Sequence, residues 1–164
     1  MAATDNPAGH QRGTQRLLEA IARCVLIVHA ALLVAQPFIA GTMLDGRSAD
    51  AQAWHLNIGM ALPTIGFVQI IVTLLAWRLA RWPQGAFTGS IAVWVLELAQ
   101  FFIGYLGMPL AMHIPLGLLL VVTGVGITYA YGYRTARNAT AVAPEPTLTQ
   151  TDLQKSREER NHGH

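Results

Sequence analysis

Long stretches of this chain carry no Asp, Glu, Lys or Arg: residues 24–44, 51–77 and 98–133 are free of them, and Glu97 alone interrupts the region 82–133. A helix that crosses a bilayer needs about 20 mostly apolar residues. These runs are therefore long enough for four spans, expected at 18–42, 53–78, 85–106 and 110–133. With 52% hydrophobic and 12% charged residues, the chain reads as an all-α membrane protein, a four-transmembrane-helix bundle built from two tandem helical hairpins. The expected organisation is a disordered tail at 1–16, a membrane domain at 17–134 and a second disordered tail at 135–164. Both tails are polar and have little to bury.

Basic residues set the orientation. Arg12, Arg16 and Arg23 precede the first span, Arg78 and Arg81 lie between the second and third, and Arg134 and Arg137 follow the fourth. Arg47, beside Asp45 and Asp50, is the one arginine on the other side. Positive residues are retained in the cytoplasm, so both termini are expected inside a cell inner membrane, with the first span an uncleaved anchor. The net charge of +2 reflects this topology and points to lipid, with no nucleic-acid partner. The single cysteine, Cys24, excludes an internal disulfide and any site built from several cysteines of one chain.

The chain also repeats itself. HLNIG at 55–59 returns as HIPLG at 113–117, a spacing of 58 positions. Gly66 and Gly124 extend the match on nearly the same helical face. VAQPFIA at 34–40 aligns with LAQFFIG at 98–104, pairing Gln36 with Gln100. Repeats of equal orientation relate by an axis along the membrane normal, which puts His55 and His113 at one depth, facing each other near the outer side.

Imidazole is a good iron ligand, and sites in helical bundles are built from inward side chains on facing helices. His55 and His113 are thus candidate axial ligands of a b-type haem, with Gly59, Gly117, Gly66 and Gly124 as a floor for a flat macrocycle. Gln36, Gln100 or Asn57 are candidates to fix the imidazole tautomers. The plainer alternative is histidines at the membrane interface and glycines for close helix packing. Another metal is the third.

On the motifs 100–104 and 113–117 above all, residues 25–133 resemble one four-helix half of the haem A synthase family. The resemblance implies paired histidines on the second and fourth helices holding haem near the outer face, here His55 and His113. The family's catalytic half carries a glutamate shortly before the second-helix histidine and an arginine after it. This chain has Ala51, Gln52, Ala53 and Trp54 before His55 and Leu56 after it. The likeness is therefore to the haem b half, and haem A synthesis is not expected of it.

A bis-histidine iron leaves no open coordination site, so the expected role is electron transfer or haem handling for a protein partner rather than oxygen chemistry. His29 and Glu97 are the other ionisable residues inside spans, and each needs a buried partner. A pair between them would pass protons, sense redox state or join spans one and three. It is also the polar centre of an alternative reading, a cofactor-free accessory subunit or small transporter. A second haem on His29 would require a homodimer. Met60, Met108 and Met112 near the outer end suggest extracytoplasmic copper binding as a further alternative, and His10, His162 and His164 fall in the tails. Pro63 should bend span two and leave a carbonyl for another group to satisfy.

Overall fold

The structure is a computed structural model that describes residues 7–46, 48 and 50–133. Four helices, α1 (Pro7–Leu44), α2 (Ala51–Ala80), α3 (Gln84–Tyr105) and α4 (Leu110–Ile127), follow one another, and α4 runs on as a π-helical turn at Thr128–Tyr133. All four are long and apolar enough to cross a membrane. Each helix packs on two neighbours, α1 on α2 and α4, and α3 on α2 and α4. The result is a square bundle of two hairpins, with α2 facing α4 across its centre.

The start of α1 differs from expectation. The segment expected as a tail at 7–16 is helical, because extending an established helix avoids the cost of nucleation, and Pro7 suits a first turn. Residues 1–6 and 134–164, with the disorder expected there, His162 and His164, lie outside the described residues, as does Arg47.

Two apolar clusters hold the bundle. Near the end where α2 turns into α3, Ala22, Leu26, Ala76, Trp82 and Ala86 pack together. Further along, Leu33, Leu62, Val93 and Leu120 meet, one from each helix. The turn between α3 and α4 is a Schellman stop. The Met108 amide donates to the Ile103 carbonyl at 3.0 Å and that of Gly107 to the Gly104 carbonyl at 3.1 Å. Gly107 at φ +64 takes the left-handed conformation this turn demands, and Pro109 then opens α4. Inside α2, Pro63 offers its carbonyl to the Trp94 indole N–H of α3 at 2.9 Å. The proline segment is thereby tied to its neighbour.

Candidate functional site

His55 and His113 lie one turn inside α2 and α4, at the end of the bundle opposite the α2–α3 turn. Across the bundle their ring centroids are 6.2 Å apart, with ring planes at 68°. The repeat therefore does what its sequence implied and brings the two imidazoles together at one level. Each histidine is held by the helix preceding it. Gln36 of α1 donates its amide N–H to the His55 backbone carbonyl at 3.1 Å, and Gln100 of α3 donates to that of His113 at 3.0 Å.

These glutamines act on the backbone, not on the ring nitrogens that they were expected to orient. Asn57, the third candidate, is exposed. The Nδ1 atoms of His55 and His113 and the Oε1 atoms of Gln36 and Gln100 are all buried without a hydrogen-bond partner. Four orphaned polar atoms in a two-fold arrangement are unusual, since buried polar groups are nearly always paired.

The four glycines of the shared stripe lie against side chains of neighbouring helices. A Cβ on Gly59 would lie 3.4 Å from the Gln36 amide, and one on Gly117 would lie 3.0 Å from that of Gln100. A Cβ on Gly66 would come within 2.1 Å of Glu97 Oε2, and one on Gly124 within 2.5 Å of Leu33 Cδ1. Each glycine admits a side chain from a neighbouring helix, which is close packing by small residues. Gly104 similarly makes room for the His113 ring, whose Cε1 would be 3.1 Å from an added Cβ.

The histidine pair itself fits a bis-imidazole metal centre. Two metal–nitrogen bonds of about 2 Å hold collinear imidazoles with their ring centres about 6 Å apart. Each imidazole plane contains its own metal bond and is free to turn about it, so an angle of 68° is compatible. Among the described residues no group of three or more His, Cys, Asp or Glu gathers as a metal site. Met60, Met108 and Met112 are all exposed, consistent with a lipid-facing position.

A second polar centre lies deeper. His29 of α1, 1% exposed, contacts Glu97 of α3, 2% exposed, through its Nε2. Its Nδ1 lies 2.7 Å from Gln69 Oε1 of α2. Gln69 Nε2 donates to Ser90 Oγ at 3.0 Å, and the Ser90 hydroxyl donates to the Ala86 carbonyl at 2.7 Å. The Thr73 hydroxyl donates to the Gln69 carbonyl at 2.7 Å. This chain of roles fixes the tautomer: with the Gln69 N–H committed to Ser90, its oxygen accepts the His29 Nδ1–H. The pairing of His29 with Glu97 was anticipated; Gln69, Thr73 and Ser90 were not. Their signal was helical spacing, because Gln69 follows Gly66 by one turn and Ser90 precedes Glu97 by two.

Comparison with known proteins adds no relative to this description: no family model matches the chain, and neither a curated protein nor a solved structure is similar to it.

Proposed function

We propose that this is a membrane b-type haem protein in which His55 and His113 are the two axial ligands of one haem, close to the extracytoplasmic face of an inner membrane. The observation that carries the reading is the pair of imidazoles, 6.2 Å between centroids, with buried and unpartnered Nδ1 atoms. Haem would supply one-electron chemistry at that position. The protein's part is to set the distance between the rings and to hold both histidine backbones through Gln36 and Gln100. The role is electron transfer or haem handling for a protein partner, in the manner of the haem b half that the motifs resemble. The arginine distribution supports cytoplasmic termini.

Purified protein from haem-replete cells is expected to be red, with a Soret band that sharpens on reduction. His55→Ala and His113→Ala should each remove or convert the haem spectrum, and His29→Ala should leave it in place. A colourless preparation, or a spectrum indifferent to both ligand changes, overturns the reading. A specific observation favours a second reading, a cofactor-free accessory subunit or small transporter: the buried Glu97–His29–Gln69 network spans three helices. Under it, the colourless protein retains its partner or transport activity, and His29→Ala abolishes that activity.

A further inference from the structure

The two hairpins share one plan, so the molecule contains its own comparison. The register that pairs Gln36 with Gln100 and His55 with His113 also pairs Ala22 with Ala86 and Leu62 with Leu120, all four buried. Continued along the helices, it pairs Glu97 with Leu33, His29 with Val93, Gln69 with Ile127 and Ser90 with Leu26. Leu33 fills the space before Gly124 as Glu97 fills the space before Gly66. Leu33, Val93 and Ile127 meet in one apolar cluster.

One half of the bundle thus closes with hydrocarbon the position that the other half closes with ionisable and amide groups. The shared backbone plan does not require polarity there. Burying charged pairs is costly, and apolar replacements of similar volume are often neutral or stabilising. Packing alone therefore does not account for Glu97 and His29.

Their geometry suits a proton. With His29 Nδ1–H given to Gln69, His29 Nε2 and the Glu97 carboxyl share one proton, and the pair is neutral. Glu97 Oε2 is buried and has no hydrogen-bond partner. It is the atom on which a second proton can sit, with Nε2 then protonated as well. An amide relays a proton poorly, so Gln69 makes the network a holder of protons rather than a wire. Among the described residues, no other titratable group faces the pair. Here α2 contributes Gln69 and Thr73, α3 contributes Ser90 and Trp94, α4 has no charged side chain, and Arg23 of α1 is paired with Glu19 at 3.0 Å.

We infer that Glu97 and His29 form a proton-binding site whose occupancy is linked to the charge of the site at His55 and His113. The linkage rests on the haem reading; the proton site does not. Gly66, against Glu97, lies about 16 Å along α2 from His55. A unit charge at that separation, across a protein interior, changes proton affinity on the order of tenfold. With haem held there, a one-electron reductant would lower the charge of the outer site by one, and a tenfold rise in proton affinity would draw up to about half a proton per electron from the aqueous phase onto the pair, offsetting part of the added charge.

The test uses the full chain in lipid vesicles, wild type and Glu97→Gln, which keeps shape and a hydrogen bond to His29. Infrared spectra over a pH series should show a protonated-carboxyl band in the wild type that shifts in heavy water and is missing from Glu97→Gln. The midpoint potential of the haem should fall with rising pH in the wild type, with this dependence lost in Glu97→Gln and kept in Glu19→Gln. A wild type without the carboxyl band at any pH, or an equal pH dependence in Glu97→Gln, overturns the inference. If the protein holds no haem, the functional reading fails, and the carboxyl band and its titration still decide the proton site.

Discussion

At the residue scale, Gly66 and Gly124 occupy equivalent positions and should respond differently to substitution. An added methyl at Gly66 meets Glu97 Oε2 at 2.1 Å and Trp94 Cδ1 at 3.0 Å. Glu97 is held by His29 and cannot withdraw freely. At Gly124 the obstacle is the far end of a leucine, which can change rotamer. Replacing a helical glycine by alanine gains about 1 kcal/mol of helix propensity, whereas overpacking a tight contact costs about 1–3 kcal/mol. Gly66→Ala is expected to lower stability by up to about 2 kcal/mol and Gly124→Ala to leave it nearly unchanged, measured by unfolding in mixed micelles. The same pair shows what sequence could reveal. The spacing of His55, Gly59 and Gly66 announced a shared helical face, but only the packing shows that the glycines receive Gln36 and Glu97. A sequence periodicity identifies a face without identifying what lies against it.

Among the elements, span boundaries were legible within a few residues for α2, α3 and α4, because Asp50 and Arg78 bound the charge-free run of α2, and Gly107 and Pro109 break the one that holds the end of α3 and all of α4. The start of α1 was not, since its polar first turns carry no hydrophobic signal and are helical by continuation from the span. The turn after α3 depends on Gly107 at φ +64, a conformation that costs other residues about 1–2 kcal/mol. Gly107→Ala should lower stability by about that amount and leave the helix content measured by circular dichroism unchanged. Trp94 links α3 to the proline segment of α2 through one hydrogen bond. Trp94→Phe keeps an aromatic ring but loses that bond and part of the indole's volume, and should cost at least about 1 kcal/mol in the same unfolding assay.

For the whole molecule, the apolar half of the bundle is a template for the polar half. Copying it, by Glu97→Leu, His29→Val and Gln69→Ile together, should give a folded protein of equal or greater stability, by up to a few kcal/mol. Thermal unfolding in detergent checks this; a protein that fails to fold would show that the network is structural after all. Sidedness can be read with a membrane-impermeant thiol reagent on a Cys24→Ser background. A cysteine placed at Ser48 should label from outside the cell, and one placed at Gln11 only after the membrane is opened.

The extended first helix has an electrostatic consequence. Gln15 reaches the Leu79 carbonyl at 3.3 Å, level with the last turn of α2, and from there α1 continues back to Pro7, about 12 Å more of helix. Exposed Arg12 stands on that extension and exposed Arg16 at its base. Among the described residues, this extension carries positive charge beyond the last turn of α2. Its two exposed arginines favour acidic surfaces, whether on a protein or among neighbouring lipid headgroups.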